Sequence, residues 1–455
     1  MTASIFWHRN DLRIEQNDAL LAACEDAFVQ PIVFREPPTL SGAAAVFRDQ
    51  ALADLRARYE ARGNRLLILE GDPVEVIPRL VTEGACHRVV FSRAHDAINQ
   101  AVERACARAL APLQCRMDGV WTDVLVAHLD FPPGVLPDDA DFSAFQKHYG
   151  PLISFDPRAP QLPAILPPPP GALGHWADGH ESLTHDTGND GAMVGGETAG
   201  HARIQTYFWE RDTLAQYAQR REALDDMNAT SRLSPYLAQG SVSPRHVFQE
   251  LERFEKKRIA NKSTRWLRAE LLWRDYLRWL AHRASERLFS LPGMTGTERP
   301  WDTSPERLDR WARGLTGWPL IDAMMRELSA TGFLSHQGRV NVSSFLVNDL
   351  GIDWRTGAQH FATTLIDHDT CSNYTNWQMV AGISPVALKH RRGIKQQSLR
   401  LDRSARYIKK WVPELRPLPP PTIHEMNGRD CGFDTRAFGV ALGETYPAPL
   451  DRVKS

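Results

Sequence analysis

Residues 316–382 constrain the fold of this chain more than any other segment. Most of them are apolar and recur at the spacing of packed helices, but Arg339, Asp367, Asp369 and Asn373 interrupt the apolar pattern. Charged side chains are rarely buried without partners. The segment therefore predicts packed helices that enclose either a network of ion pairs or a bound polar ligand.

The composition predicts a globular protein of two or three domains. The chain has 455 residues, of which 42% are hydrophobic and 24% charged, and its net charge is -1. Binding to DNA would therefore need a local basic patch. No apolar run approaches the ~20 residues of a membrane helix, and no signal peptide precedes the first strand-like run. The six cysteines include no CxxC pair, which argues against a zinc site and favours the reducing cytoplasm.

Residues 1–130 alternate short apolar runs with helical patterns, which predicts an α/β domain with a doubly wound parallel sheet. The predicted strands are residues 4–7, 29–34, 65–69 and 88–91. Gly63 is expected to cap the helix that follows Ala43, and Asp72 with Pro73 is expected to open the next helix. The charged loop 8–13 follows the first strand, a position that often lines a ligand crevice in such sheets.

Residues 131–200 predict a connector with little regular structure, because they contain FPPG, four consecutive prolines at 167–170 and several glycines. Residues 201–455 predict an all-α domain, since helical patterns with short polar breaks continue to about residue 415. The tail beyond that point is short and begins with the proline-rich run RPLPPPT.

Two runs in the helical region carry polar residues that have two interpretations each. In ATSRLSPYLAQGSVSPRH (229–246), Thr230 and Ser231 precede a helical pattern, where they can cap the helix or help to bind a phosphate. In RAELLWRDYLRWLA (268–281), Glu270, Trp273 and Arg274 share one helix face because of their i, i+3 and i+4 spacing. Such a face can be a surface salt bridge beside a core tryptophan, or part of a site.

The run KHRRGIKQQSLRLDRSARYIKKW (389–411) carries nine lysines and arginines and one aspartate. Basic residues with interleaved aromatics are typical of surfaces that track a phosphate backbone. A solvated helix face has the same composition, so both interpretations stay open.

Together these runs closely resemble the photolyase/cryptochrome family, from FWHRNDLR near the amino terminus to IKKWVPEL. The run GGETAGHARIQTYFWERDTLAQY, with GFLSHQGRVNVSSFL, is most similar to the DASH cryptochromes. The resemblance implies FAD held among helices and read by light. It also implies a monomer that binds damaged DNA, mainly single-stranded, and it leaves open a folate antenna (methenyltetrahydrofolate) with Glu103 as its contact.

The resemblance assigns roles around the flavin. Arg339 and Asp367 match the family's ion pair beside the isoalloxazine, Asp369 matches a flavin contact, and Asn373 matches the residue that faces flavin N5. Arg274 matches a contact to the flavin phosphates. The loop that holds the FAD pyrophosphate maps to Thr230, Ser231, Arg232, Leu233 and Ser234.

The resemblance also assigns roles in DNA binding and electron transfer. Glu270 matches the carboxyl that hydrogen-bonds the damaged pyrimidine pair, and Trp273 matches the indole that packs against it. A three-indole electron chain from flavin to surface maps to Trp377, Trp354 and Trp301. The residues implied in DNA binding are Glu270, Trp273, His336, Met379, Lys389, Arg391, Arg392 and Lys395.

Some positions depart from the family pattern. Asn-Arg is usual where this chain has His336 and Gln337, and an aromatic residue is common where it has Met379, so one wall of the lesion pocket is altered. The run that follows Gly382 fits the family only loosely. Only two cysteines lie beyond residue 370, and two cannot supply the four ligands of the family's iron–sulfur branch.

Two functions of different classes remain open. In the first, light excites reduced FAD, an electron passes to the pyrimidine dimer, the ring splits and the electron returns; Glu270, Trp273 and Asn373 favour this repair reaction. In the second, the protein is a blue-light photoreceptor that signals by flavin photoreduction through the tryptophans. His336 and Met379 favour the receptor, whereas the short tail argues against it.

Overall fold

The computed structural model describes residues 2–35, 40, 42–126, 135–137, 140–155, 161–176, 183, 193–386, 393–426 and 435–452. The run FPPG at 131–134 and the predicted DNA-binding residues Lys389, Arg391 and Arg392 lie outside them. The chain divides into two compact units. The first comprises residues 1–215 and 231–286, and the second comprises residues 216–230 and 287–455. The boundaries near residues 130 and 200 stay a prediction.

A five-stranded parallel sheet with strand order β3-β2-β1-β4-β5 forms the centre of the first unit. Successive residues of the central strand alternate between two apolar clusters, Phe6 in one and Ile5 and Trp7 in the other. Both faces are therefore covered, as in a doubly wound sheet, and the predicted fold class is confirmed. The strands are β1 (Ala3–His8), β2 (Phe28–Phe34), β3 (Leu67–Leu69), β4 (Arg88–Ser92) and β5 (Arg116–Val120).

The helices of the first unit begin and end largely as the sequence predicts. Asp72 caps its helix by accepting a hydrogen bond from the Val74 amide at 2.8 Å, with Pro73 in the first turn. The helix after Ala43 ends at Glu60, three residues before Gly63, whose φ is +76°. The first helices are α1 (Asp18–Ala23), α2 (Ala43–Glu60), α3 (Pro73–Glu83), α4 (Ala97–Leu110), α5 (Phe142–Tyr149) and α6 (Glu197–Ile204).

The charged loop after β1 makes buried structural contacts, and its expected place beside a ligand crevice stays a prediction. Arg13 is 1% exposed, and its guanidinium donates to the carbonyls of Gly240 at 2.9 Å and Thr122 at 2.8 Å. His8 is also buried, and its ring is hydrogen-bonded to the Tyr59 hydroxyl at 2.7 Å. The loop thus fixes residues 239–240 against the sheet.

The described structure beyond residue 200 is largely helical, as predicted. The core of the second unit is one apolar cluster that includes Trp311, Trp354 and Trp377. Two segments, Gln205–Glu210 and Phe345–Asp349, are π-helical. In the part of the chain that the structure describes, no helix is long and apolar enough to cross a membrane. The later helices are α7 (Tyr217–Arg220), α8 (Ser234–Ala238), α9 (Pro244–Lys257), α10 (Lys262–Ala284), α11 (Pro305–Ala312), α12 (Pro319–Thr331), α13 (His336–Ser344), α14 (Trp354–Thr364), α15 (Thr370–Ala381), α16 (Ile394–Leu401), α17 (Arg406–Trp411) and α18 (Pro420–Met426).

Candidate active site

The face of α10 that carries Glu270 and Trp273 is partly open to solvent. Both residues are half-buried and lie three residues apart, so they are neighbours on the helix surface. The Trp273 ring packs edge-to-face on Phe142, with centroids 5.0 Å apart, and lies 5.3 Å from Tyr276. These contacts fix the indole plane while leaving part of it accessible. A flat polar ring bound here can hydrogen-bond to the carboxylate and stack on the indole.

Arg274 is held by protein groups next to the loop predicted to bind phosphate. Its guanidinium donates to the carbonyls of Asp123 and, at 2.9 Å, of Leu237, which lies in α8. The Asp123 carboxylate lies 3.6 Å away. Arg274 thus brings positive charge to the helix that directly follows the loop. Its predicted contact to a flavin phosphate stays a prediction.

Asp123 is the centre of a buried charge network that the sequence analysis missed. Its carboxylate accepts a hydrogen bond from Arg278 at 2.7 Å and contacts the His95 ring at 2.9 Å. Burial alone would raise the pKa of Asp123, but Arg278 and His95 hold it well below its usual range. Arg274 and Arg278 are i, i+4 neighbours on α10, and two adjacent cations indicate that an acidic partner lies nearby. The sequence does not indicate that this partner is Asp123.

Asp275 lies in the same region with the opposite electrostatic balance. One carboxylate oxygen accepts the Leu125 amide at 2.8 Å. Burial raises the pKa of Asp275 to about 7, although Arg274 and Arg278 lie near enough to oppose the shift. Two buried carboxyls therefore prefer different protonation states because only Asp123 has cations in direct contact.

The predicted pyrophosphate loop concentrates positive charge. Arg232 has φ of +51°, and the Leu233 amide donates to the Ser231 hydroxyl at 3.4 Å. Arg203 donates to the Ser231 carbonyl at 2.7 Å. Burial lowers the pKa of the Arg203 guanidinium, and Arg232 lowers it further, so two cations lie close together here. Hydroxyls, a helix start and two guanidinium groups fit an anion such as a pyrophosphate. Of the other loop residues, Thr230 is half-buried and Ser234 is exposed at the start of α8.

The four polar residues that interrupt the apolar pattern of residues 316–382 lie in the second unit. Arg339 donates to both carboxylate oxygens of Asp367, at 2.9 and 2.7 Å, and Asp367 is almost fully buried. Asp369 caps α15 by accepting the Ser372 amide at 2.8 Å. Asn373 is 9% exposed, and its amide nitrogen donates to the Ala358 carbonyl at 2.9 Å. The ion pair and the oriented amide are polar groups that a flavin ring can contact.

His336 and Met379 differ in accessibility. His336 lies in the first turn of α13 and is exposed to solvent. The protein groups packed around its ring nevertheless lower its pKa to about 4, mainly by desolvation, and Arg221 and Arg339 add to the shift. Its imidazole is therefore neutral at physiological pH. Met379 is only 4% exposed, so little of its side chain can contact another molecule.

The three predicted electron-transfer tryptophans all lie in or against the core of the second unit. Trp377 is 2% exposed and Trp354 is fully buried, whereas Trp301 is half-buried. A β-bridge between Asp302 and Ile352 brings the backbone of Trp301 close to the start of α14. Of the three, only Trp301, the last in the predicted order from flavin to surface, is partly exposed.

Further aromatic rings contact this set and were not predicted. Trp311 is fully buried with its ring 6.2 Å from Trp377, and Tyr374 lies 6.1 Å from Trp354. Gly357 permits the packing, because a Cβ there would lie 2.3 Å from the Trp377 ring. Helical spacing places these rings in the core but does not specify which rings touch.

The described part of the basic run 389–411 is largely paired or open to solvent. Lys395 forms an ion pair with Glu425 at 2.6 Å. The charge of Lys395 is therefore partly neutralised, which weakens the predicted contact to DNA. Farther along, α17 contributes to a surface cavity of about 480 Å³. Its lining residues are Asp225, Arg406, Lys409, Lys410 and Arg416.

Glu103 has partners inside the protein. It forms an ion pair with Arg9 and accepts the Ala94 amide at 2.7 Å. Burial raises the pKa of Glu103, which Arg9 opposes. A role as an antenna contact stays a prediction.

Among the residues that the structure describes, Glu15, Glu197 and His201 have ligand atoms close enough for a metal ion. The Glu197 carboxylate already accepts the amides of Ile14 and Glu15 at 2.8 and 2.9 Å, and Arg58 lies 2.8 Å from it. These contacts use the carboxylate for structure, and the cation of Arg58 disfavours a second cation at this place.

Comparison with known proteins decides the family. The domain described as "FAD binding domain of DNA photolyase" matches residues 266–455, and "DNA photolyase" matches residues 4–148. Cryptochrome DASH of Gloeobacter violaceus is 38% identical over 463 residues, covering 98% of this chain and 92% of the relative. This chain belongs to the photolyase/cryptochrome family. Its relatives among the DASH cryptochromes extend to Xenopus laevis, at 35% identity over 97% of this chain and 88% of the relative.

Solved photolyase and cryptochrome structures have the same fold. A Synechocystis cryptochrome superposes with a TM-score of 0.90 at 34% identity, covering 99% of this chain and 96% of that one. A bacterial class III photolyase from Agrobacterium tumefaciens gives 0.83 at 28% identity, covering 99% and 94%. The carboxyl-terminal part of this photolyase/cryptochrome is thus an FAD-binding domain, in a family that generally binds DNA.

Proposed function

We propose that this protein uses blue light absorbed by bound FAD to split cyclobutane pyrimidine dimers, preferentially in single-stranded DNA. The observation that carries the proposal is the open face of α10. There a half-buried carboxyl, Glu270, lies beside an indole, Trp273, whose plane is fixed by Phe142. A pyrimidine dimer presents polar edges and flat faces, so it suits a hydrogen-bonding carboxyl next to a stacking surface.

The residues that would hold FAD form two groups, one in each unit. In the first unit, Ser231 to Ser234 and Arg274 are proposed to bind the pyrophosphate. In the second unit, Thr230 is proposed as a pyrophosphate contact. Arg339, Asp367, Asp369 and Asn373 would contact the isoalloxazine. Bound in reduced form, FAD would supply the electron that opens the dimer ring. The neutral Asn373 amide would tolerate a reduced flavin, because it carries no charge of its own.

The preference for single strands has an energetic basis. A dimer must leave the base stack to reach a buried cofactor, which costs a few kcal/mol in a duplex and less in a single strand. Met379 is 4% exposed and offers little surface to a flipped dimer. Weaker contacts to the flipped dimer offset less of the free energy that flipping costs. Repair of duplex substrates should therefore be slowed more than repair of single strands.

Trp377, Trp354 and Trp301 would carry an electron from solvent towards oxidised flavin and so keep the cofactor reduced. The support is that Trp377 and Trp354 are buried, at 2% and 0% exposure, whereas Trp301, the proposed surface end, is half-buried. This chain of indoles serves repair and signalling equally. It therefore does not separate the two functions.

The experiment is a dimer-repair assay on matched single- and double-stranded oligonucleotides, with FAD content measured on the same samples. Wild-type protein should repair the single strand faster. Glu270→Ala should lose most repair with FAD still bound, because Glu270 contacts the lesion. Glu286→Ala, an exposed carboxyl beyond the same helix, is the matched control and should repair normally. Full repair by Glu270→Ala, or equal repair of both DNA forms, would contradict the proposal.

The second candidate function is a blue-light photoreceptor without repair activity. The nearly complete burial of Met379 favours it, because this removes one predicted wall of the lesion pocket. A protein that binds and photoreduces FAD but repairs neither DNA form would be assigned this function.

We also propose that a folate (methenyltetrahydrofolate) serves as antenna, with Glu103 as a contact through the carboxylate that Arg9 orients. Reconstitution with the folate should add an absorption band and increase repair per photon, and Glu103→Gln should weaken both. The absence of any added band with the wild-type protein would remove the antenna.

We propose further that the protein is a cytoplasmic monomer. The described cysteines, Cys24, Cys86, Cys106, Cys115 and Cys371, are all free thiols, as a reducing compartment favours. Sedimentation equilibrium should give the mass of one chain, and fractionation of the source cells should recover the protein with cytoplasmic markers.

A further inference from the structure

The junction between α9 and α10 carries an exposed basic surface. Five cations occur within ten residues, and all of them are exposed. Among the residues that the structure describes, none of the five forms an ion pair with a carboxylate. We call this surface the α9–α10 patch, and it consists of Lys256, Lys257, Arg258, Lys262 and Arg265.

Helix stability explains only half of this patch. Lys256 and Lys257 lie in the last turn of α9, where the helix dipole favours cations. Lys262 and Arg265 lie in the first turns of α10, where the dipole disfavours them, and the first turn contains no acidic residue. Asn261 already caps this end through the amides of Ser263 and Thr264. The two cations at the start of α10 therefore gain nothing from the helix dipole.

An exposed indole lies directly beside these cations. Trp266 is 40% exposed, and Ile259, in the connection between the helices, is 45% exposed. Single exposed apolar side chains are common on protein surfaces, so the position of this indole among cations is the informative feature. Cations around an exposed indole are the elements of a surface that stacks bases and contacts phosphates.

This surface is continuous with the proposed lesion site. Lys262, Trp266 and Glu270 follow one another at intervals of four residues, so they lie along one face of α10. Trp273 is eleven residues from Lys262, close to three full turns, and falls on the same face. At a rise of ~1.5 Å per residue, Lys262 and Glu270 are about 12 Å apart along the helix. That distance corresponds to about three stacked nucleotides of one strand, at ~3.4 Å each.

We propose that the α9–α10 patch binds the single strand that flanks the lesion. Trp266 stacks on a flanking base, and Lys262 and Arg265 contact the phosphates of that strand. The inference rests on the proposed repair function, because Glu270 and Trp273 define where the lesion lies. An anionic membrane could also attract cations around an exposed tryptophan and isoleucine. Continuity with the face of Glu270 and Trp273 favours the DNA strand.

The test compares two substrates, a dinucleotide dimer and a single strand of ten nucleotides with the dimer at its centre. Two variants change the patch, Trp266→Ala and the double reversal Lys262→Glu with Arg265→Glu. The matched control is Arg104→Glu with Arg108→Glu, which makes the same charge change on an exposed face of α4. The reversals at α10 place acids near a helix start, which the dipole favours, so loss of binding will not reflect unfolding.

Wild-type protein should bind the ten-nucleotide strand more tightly than the dinucleotide. Trp266→Ala should weaken binding of the longer strand by roughly 5- to 150-fold, the range for loss of one stacked base. The double reversal should reduce the slope of log K against log salt by about 1.4, the value for two single-strand phosphates. Binding and repair of the dinucleotide, FAD content and the control variant should be unchanged.

Three results would overturn the inference. If the patch variants bind the longer strand as tightly as the wild type does, the patch does not bind the flanking strand. The proposed repair function is unaffected by that result. If binding to vesicles of anionic lipid falls in the variants and binding to DNA does not, the patch is a membrane surface. If the wild type repairs neither substrate with reduced FAD bound, the proposed function fails and the inference fails with it.

Discussion

Replacing Arg278 by methionine should measure how strongly the first unit depends on its buried charge network. Arg278 is 1% exposed, and its Nε donates to Asp123 at 2.7 Å. Methionine approximates the length of the arginine stem, so the main loss is the charge. The Asp123 carboxylate then keeps only His95 and the more distant Arg274. Removing one partner of a buried ion pair usually costs about 3–5 kcal/mol.

The effect should depend on pH in a defined direction. The folded-state pKa of Asp123 lies below its unfolded value, so the network stabilises the protein fully above the unfolded pKa of ~3.9. That contribution declines as pH falls through the folded pKa, because the carboxyl becomes protonated and no longer needs cations. The penalty of Arg278→Met should therefore be complete at pH 7 and shrink in acid.

Amide hydrogen exchange of α10 is the appropriate assay, because it reports local opening of the helix that contains Arg278. A loss of about 3–5 kcal/mol should speed exchange of its protected amides by about 10²- to 10⁴-fold at pH 7. Amides of α12, in the other unit, should exchange as before. The matched control is Arg313→Met, which breaks an exposed i, i+4 pair with Asp309 at 3.3 Å. That change should cost at most about 0.5 kcal/mol. An α10 exchange rate within fivefold of wild type in Arg278→Met would refute the reasoning.

Three further changes have defined outcomes. Trp377→Phe should slow blue-light reduction of bound FAD several-fold or more without releasing it, because a phenyl ring is harder to oxidise; transient absorption at constant external donor measures this. Gly357→Ala should lower the free energy of unfolding by about 1–3 kcal/mol, since the new Cβ would lie 2.3 Å from Trp377 and 2.5 Å from Leu346; urea titration measures this. Asp275→Asn should stabilise the protein increasingly between pH 4 and 7, by up to ~4 kcal/mol. The pKa of Asp275 is raised to about 7, so the free energy of unfolding of the wild type falls as pH rises through that window. Urea unfolding of both proteins at pH 5 and pH 8 measures how the difference between them changes.

The elements that could be predicted from sequence are those whose pattern is local. Four strands of the sheet are apolar runs, and Asp72 with Pro73 marks a helix start by its own chemistry. The fifth strand, Arg116–Val120, was missed because it is an edge strand with no fully buried residue and so has no apolar run. The eight-residue helix Phe142–Tyr149 was missed inside the expected connector. It buries only Phe145 and Tyr149, and its stability comes from packing against α10.

The same division holds in the candidate site. The shared face of Glu270, Trp273 and Arg274 follows from helix geometry, and the resemblance supplied the pairing of Arg339 with Asp367. The partner of Arg274 and Arg278 lies about 150 residues away in the chain, at Asp123. No periodicity connects positions so distant. Tertiary contacts therefore determine which arginines are structural and which remain available to a ligand.

That distinction bears on how a chain with a net charge of -1 would bind the DNA proposed as its partner. Many of its cations are neutralised in place, as Arg326 is by Glu414 at 2.8 Å and Lys395 is by Glu425. The cations of the α9–α10 patch lack such carboxylates within the described structure. Affinity for phosphates depends on these unneutralised groups and not on the total. DNA binding by this protein should therefore weaken steeply with salt despite its neutral isoelectric balance. A change of equal charge at a paired cation such as Arg326 should leave the salt slope unaltered.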